Sequence, residues 1–169
     1  MNIYLIGFMG SGKSSLGVQL GEKINRPYFD LDNRIEEKEG KSISEIFTDK
    51  GEDYFRKIEQ NILFSYSSNS KSVISLGGGA CCNDLSWNFL DQNGLIIYLK
   101  VSEGTLFERL KQNRSKRPLI ANLSDEDLKK VISEKLKDRL SYYERAHFTF
   151  DSESTSLDFL VKHIEAFLL

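Results

Sequence analysis

At 169 residues the chain carries one domain's worth of sequence, long enough to bury a sizeable core. Its 40% hydrophobic and 28% charged residues are those of an ordinary globular protein, and a net charge of −2 argues against general nucleic-acid binding. No apolar run approaches the roughly 20 residues that cross a bilayer, so no membrane partner is expected. Residues 1–6 leave no room for a leader peptide, and a cytoplasmic protein is expected. The two cysteines, Cys81 and Cys82, are adjacent and lack zinc spacing; they read as small residues at the start of a loop.

Asn2 to Ile6 reads as a buried parallel strand, apolar on both faces. Directly behind it, Gly7-Phe8-Met9-Gly10-Ser11-Gly12-Lys13-Ser14 fits the phosphate-binding pattern G-x-x-x-x-G-K-[ST] in its required strand–turn–helix context. Glycines let the backbone approach a ligand closely. Amides from Gly10 to Ser15, with Ser11 and Gly12 between them, then converge with the positive helix end on phosphate oxygens. Lys13 supplies a point charge over the β- and γ-phosphates and the Ser14 hydroxyl a ligand for Mg²⁺. The stretch predicts binding of a nucleoside triphosphate.

The helix that follows carries Leu16, Leu20 and Ile24 along one stripe and stops at Pro27. Tyr28 to Asp32 reads as a second short strand, which would place Asp30 and Asp32 on the same face. A short helix then runs to Gly40. Ser42-x-x-Glu45 is a capping-box pattern, and a longer helix from about Glu52 to Tyr66 puts Tyr54, Phe55, Ile58, Ile62 and Leu63 on its apolar side. Ser72 to Leu76 is a third strand that ends in Gly77-Gly78-Gly79. A helix through Leu85, Phe89 and Leu90 closes near Gly94, and Leu95 to Leu99 is the fourth strand. After a helix over residues 103–113 comes Arg114-Ser115-Lys116-Arg117-Pro118. Ser124-x-x-Asp127 opens the next helix, with Leu128, Ile132, Leu136 and Tyr143 on one face. His147 to Phe150 is a fifth strand. The last helix uses Leu157, Leu160, Val161, Ile164 and Phe167.

Strands alternating with helices imply an α/β fold with a parallel sheet covered on both faces. Such sheets bind ligands beyond the carboxyl ends of their strands, where the glycine turn, Asp30/Asp32 and Gly77–Gly79 converge. The whole chain, 1–169, reads as a single domain, with insertions at about 33–65 and about 112–124.

Two carboxylates facing a triphosphate suit one Mg²⁺ and one hydroxyl-bearing acceptor, whose proton one of them could take. The bland alternative is a solvated strand end. Arg56 and Glu59, three apart on a helix, form an intrahelical ion pair on pattern alone; as a functional pair, Arg56 would fork onto a substrate carboxylate with Glu59 orienting it. Three consecutive glycines after a strand favour close backbone approach over stability. The cluster Arg109, Lys111, Arg114, Lys116 and Arg117 is either a solvated face or a lid, with Arg117 the candidate for stabilising transferred charge. Arg139 shares a helix face with Leu136 and Tyr143, and an inward arginine needs an anion. His147 and His163 receive no role.

Taken together, GFMGSGKS at 7–14, FDLD at 29–32, FRKIE at 55–59, SLGGG at 75–79, KRPL at 116–119 and RLSYYE at 139–144 resemble the shikimate kinase family over nearly the whole chain. The resemblance implies a three-layer α/β/α fold of the nucleoside-monophosphate-kinase type, with strand order 2-3-1-4-5. It implies ATP-dependent phosphorylation of the 3-hydroxyl of shikimate, in the route to aromatic amino acids; a monomer is expected separately, because no surplus apolar surface stripe is evident. The resemblance implies that the insertion at about 33–65 is substrate-binding and that at about 112–124 a lid. It assigns phosphate contacts to Lys13 and Arg117, Mg²⁺ to Ser14 and Asp30, and acceptor hydroxyls to Asp32, which is also the implied base. Arg56 and Arg139 would clamp the shikimate carboxylate, Glu59 would support Arg56, and Gly78 and Gly79 would line the pocket. Two positions depart from the family's pattern. Ser141 stands where a proline is usual two residues after the substrate arginine, and the adenine-contacting arginine is ambiguous between Arg109 and Arg114. The rival readings are a gluconate or nucleoside monophosphate kinase of the same fold, and a non-catalytic ATP-binding module.

Overall fold

The computed structural model describes residues 1–66, 70–114 and 120–168. Five parallel strands form one sheet in the order β2-β3-β1-β4-β5: β1 Asn2–Ile6, β2 Tyr28–Asp30, β3 Val73–Ser75, β4 Gly94–Lys100 and β5 Phe148–Asp151. The expected strand order and fold class are both found. Helices connect the strands: α1 Lys13–Lys23, α2 Leu31–Glu39, α3 Ile43–Ser65, α4 Asp84–Asn93, α5 Glu103–Gln112, α6 Asp125–Tyr143 and α7 Leu157–Leu168. Among the described residues no helix is long and apolar enough to cross a membrane.

The period of two along a strand divides the core into layers. Tyr4 and Ile6 of β1 join Ile74, Ile96 and Tyr98 beneath α2, α3, α4 and the end of α6. Ile3 and Leu5 join Val73, Leu95, Ile97 and Phe150 beneath α1 and α7. A third cluster lies beyond the strand ends, where Phe8 of the glycine turn packs with Leu106 and Leu110 of α5 and Leu128 and Ile132 of α6. The turn is therefore anchored in its own small core.

Several local expectations need correction. The second strand stops at Asp30, because the Asp30 carboxylate accepts the Asp32 N–H at 3.0 Å and caps α2, whose Leu31 and Ile35 are fully buried. Asp30 and Asp32 are thus a cap and a first-turn residue, not two positions on one strand face. The Ser42/Glu45 capping box is present, and α3 breaks at Gly51 (φ 80°, ψ 174°), which separates the capped segment from the long one. Leu85 is 61% exposed and Phe167 52% exposed. Helix α4, capped by Asn83, instead buries Ser86, Trp87 and Leu90, and α7 buries Leu160, Val161 and Ile164. His147, which had no expected role, accepts the Ile96 N–H on Nδ1 at 3.1 Å just before β5 joins the sheet.

Helix α1 approaches the sheet closely at Gly17, where a Cβ would stand 2.2 Å from Cε2 of Tyr28. The Tyr28 ring cannot swing away without losing its hydroxyl bond to Asp30. Gly17→Ala gains roughly 1 kcal/mol of helix propensity but overpacks by about 1–3 kcal/mol. We expect a net loss, seen in calorimetry as a Tm lower by a few degrees; an unchanged or raised Tm would show that Tyr28 yields.

Candidate active site

The glycine turn leaves β1 at Gly7, where a Cβ would meet the Leu99 carbonyl at 2.7 Å. It ends at Gly12, the left-handed N-cap of α1 (φ 96°), which offers no side chain to the helix. The first-turn amides of α1 consequently have no acceptor in their own helix or from a cap. Lys13 folds back over the turn, its Nζ donating to the carbonyls of Gly7 (2.8 Å) and Phe8 (2.9 Å) and to Ser11 Oγ (3.3 Å). Arg109 reaches the turn from α5, donating to the carbonyls of Gly10 (3.3 Å) and Ser11 (3.2 Å). Arg114 instead bonds Asp125 and the Leu123 carbonyl at the start of α6. Of the two ambiguous arginines, Arg109 stands at the turn.

Asp30 uses both oxygens. Oδ1 caps α2, while Oδ2 accepts from the Ser14 hydroxyl at 2.6 Å and from the Tyr28 hydroxyl at 3.1 Å. Burial pushes the Tyr28 phenol up to about 12, so it remains a donor to Asp30 at neutral pH. Tyr28 was not anticipated, although its place two residues before Asp30 on β2 puts both on one face, a signal present in the sequence.

Each glycine of the triplet lies against a charged side chain. A Cβ on Gly77 would sit 2.8 Å from Glu59 Oε1 and 2.9 Å from Asp32 Oδ1. On Gly78 it would sit 3.0 Å from Arg139 Nη1, and on Gly79 3.1 Å from Arg56 Nη2. Only a backbone without side chains lets these groups close around one space. Arg56 Nη1 pairs with Glu59 Oε2 at 2.7 Å, and Nη2 pairs with Glu52 at 3.1 Å. Glu59 is 3% exposed, and its Oε1 has no hydrogen-bond partner among the described residues. Burial raises its carboxyl above the ordinary glutamate value, partly opposed by Arg56. Arg139 lies over the Phe8 ring at 5.5 Å and makes no ion pair with a described carboxylate. With Ser141 in place of proline, α6 continues unbroken through Arg139 to Tyr143.

These groups line two cavities. The first, of about 350 Å³, includes Gly10, Gly12, Lys13, Ser14, Ser15, Asp30 and Arg109. The second, of about 790 Å³, includes Phe47, Phe55, Arg56, Glu59, Gly79 and Arg139. Met9, Asp32, Gly77, Gly78 and Asn113 line both. The structure thus brings together every site residue expected from the sequence except Ser11 and Arg117. Ser11 is buried beneath the turn, and Arg117, with the rest of 115–119, lies outside the described residues.

The shikimate kinase family model matches residues 9–168. A shikimate kinase of Flavobacterium psychrophilum is 41% identical over 169 residues, covering 98% of each chain. The crystal structure of shikimate kinase from Bacteroides thetaiotaomicron superposes with a TM-score of 0.89 at 33% identity, over 99% of this chain and 98% of that one. That of the Acinetobacter baumannii enzyme in complex with shikimate gives 0.87 at 32% identity, over 99% and 92%.

The raised Glu59 carboxyl has a consequence for stability. Above the ordinary glutamate value the folded chain keeps a proton at Glu59 that the unfolded chain has lost, so stability falls as pH rises towards the folded value. Glu59→Gln removes this contribution. Urea unfolding at about pH 5 and about pH 8 should show the variant gaining stability relative to wild type as pH rises. Parallel pH profiles would mean that Glu59 titrates normally.

Proposed function

The chain belongs to the shikimate kinase family, and we propose that its smaller cavity binds ATP and its larger one shikimate, with phosphoryl transfer where they meet. The observation that carries this reading is that Asp32, Gly77 and Gly78 line both cavities. A group on the boundary can touch a transferring phosphate and an accepting hydroxyl together, and positioning is most of what phosphoryl transfer requires.

In this reading the amides of Gly10, Ser11, Gly12, Lys13, Ser14 and Ser15 and the α1 N-terminus hold the phosphates. The Lys13 ammonium turns from the loop carbonyls to the β- and γ-phosphates. Ser14 and Asp30 fit Mg²⁺: they are adjacent oxygen donors at the mouth of the phosphate cavity. Among the described residues no cluster of three or more His, Cys, Asp or Glu could hold a metal by itself. Ser14 and Asp30 would hold the ion, which would supply neutralisation of phosphate charge. Asp32 orients the 3-hydroxyl of shikimate and accepts its proton as the oxygen attacks the γ-phosphorus and ADP leaves. Arg117, on a lid formed by about 112–124, covers the phosphates and helps exclude water.

The larger cavity suits a carboxylate-bearing polyol. Arg56 is largely neutralised by Glu59 and Glu52, whereas Arg139 brings charge without an ion pair from a described carboxylate, so the acceptor carboxylate completes the balance. Glu59 fixes the Arg56 fork, and Gly78 and Gly79 let the ligand lie against backbone. Both cavities are built from one chain, and we propose a single-domain monomer, with 33–65 as the acceptor-binding insertion, acting in the cytoplasm.

Two measurements test the reading. ADP release from ATP and Mg²⁺ should be stimulated by shikimate and not by gluconate or AMP. Stimulation by another acceptor would discard the carboxylate clamp, and none at all with ATP still bound would favour a non-catalytic nucleotide-binding module. Arg56→Ala and Arg139→Ala each remove a charged hydrogen bond of about 1.5–3 kcal/mol. Each should raise the shikimate KM roughly tenfold to a hundredfold with the ATP KM little changed, Arg139→Ala the more strongly. Wild-type shikimate KM values would refute the clamp.

A further inference from the structure

The Gly77–Gly79 turn belongs to no helix or strand, and it has no side chains to anchor it. Its place depends on its backbone hydrogen bonds. Within the turn two are local, Ala80 N–H donating to the Gly77 carbonyl and Cys82 N–H to the Gly79 carbonyl at 3.0–3.1 Å, while just before it Leu76 N–H continues the pairing with β1 by donating to the Leu5 carbonyl at 3.0 Å. The Gly78 carbonyl differs. It accepts from the Tyr143 hydroxyl at 2.5 Å, across 65 residues of sequence, with the Cys82 thiol a more distant donor at 3.8 Å. Tyr143 is fully buried, and its ring stacks on Tyr98 with centroids 5.0 Å apart, so the hydroxyl has a fixed address.

Tyr143 lies one helical turn beyond Arg139 on the same face of α6. One rigid helix therefore sets both a guanidinium beside Gly78 and a hydroxyl on its carbonyl. The peptide unit is planar and trans, so pinning the Gly78 carbonyl also aims the Gly79 N–H to the opposite side. That amide joins Gly78, where a Cβ would stand 3.0 Å from Arg139 Nη1, to Gly79, where one would stand 3.1 Å from Arg56 Nη2.

Resting on the acceptor reading above, we propose that Tyr143 is a positioning residue for acceptor binding: its hydroxyl locks the Gly78–Gly79 peptide between Arg139 and Arg56, setting the direction of the Gly79 N–H and the gap that receives the acceptor carboxylate. Tyr143 is in the lining of neither cavity. It acts through the glycine backbone, and the bond needs a phenol at this position rather than merely an aromatic ring. Burial holds that phenol far above its ordinary value, so the donor persists across the working pH range.

Tyr143→Phe keeps the ring and its stack and deletes only the hydroxyl, which donates to the Gly78 carbonyl and also lies against Arg139. The shikimate KM should rise about tenfold, the scale of one buried hydrogen bond, with kcat and the ATP KM within about twofold. A merely structural role would lower Tm and leave all three constants alone. Replacing Tyr143 with 4-aminophenylalanine restores an N–H donor and should return the shikimate KM to near wild type. If the phenylalanine variant fails to fold, this variant decides, and a shikimate KM raised about tenfold in it overturns the proposal. Amide exchange in the ligand-free protein gives a reading independent of the acceptor. Exchange at Gly79 and Ala80 should accelerate at least about tenfold in Tyr143→Phe, with β1 and the middle of α6 unchanged. Unchanged exchange, or an unchanged shikimate KM in a folded phenylalanine variant, overturns the lock. Faster exchange in a protein that ignores shikimate would overturn the acceptor reading instead.

Discussion

Everything in this molecule is arranged around a helix that starts without a cap. Asp30, Ser42, Asn83, Ser102 and Ser124 each accept a first-turn amide of the helix that follows. Gly12 cannot, and α1 has no acidic residue in its first turn to stand in. Its uncapped first turn and positive end are a standing demand for an anion. The rest of the fold holds that open end still. The four core residues Ile3 to Ile6 of β1 are fully buried behind it, and Phe8 pins the turn into the core of α5 and α6. Lys13 is tied by three hydrogen bonds to the loop it will have to serve.

The larger cavity is organised by charge in a confined space. Glu59 is buried with one oxygen paired to Arg56 and the other unpartnered among the described residues, an arrangement that stability alone would not favour. Its paired oxygen holds Arg56 Nη1 at 2.7 Å. The three glycines add conformational entropy to the unfolded chain, yet any side chain there would collide with Asp32, Glu59, Arg139 or Arg56. Local instability and close approach of functional groups are here the same feature.

The two cavities are mechanically joined. Arg139 sits over Phe8 of the phosphate loop and beside Gly78 of the acceptor turn, and α6 packs its Leu128 and Ile132 against α5, which sends Arg109 to the phosphate loop. A displacement of α6 would therefore move groups in both cavities. Such coupling suits an enzyme that must bring a phosphate and a hydroxyl into register while keeping water out.

The sequence by itself determined what depends on neighbours a few residues apart. The apolar runs marked β1 and β4, the spacing of glycines, lysine and serine marked the phosphate turn, and Ser42 with Glu45 marked a helix start. Each rests on a local period or a local hydrogen bond. The ordered set of motifs then pointed to the family, because a whole pattern constrains more than any one residue. Tertiary structure alone decided the rest. That the strand ends at Asp30, which also caps α2, and that Asp32 is a first-turn helix residue, followed from the burial of Leu31 and Ile35 against distant partners. That Arg56 and Glu59 face a cavity, where pattern alone favoured a surface pair, depended on which side of α3 the sheet covers. The bond from Tyr143 to Gly78, like the choice of Arg109 over Arg114 at the phosphate turn, joins positions far apart in the chain. No local period encodes such a meeting; it exists only once the sheet has closed and the helices have packed upon it.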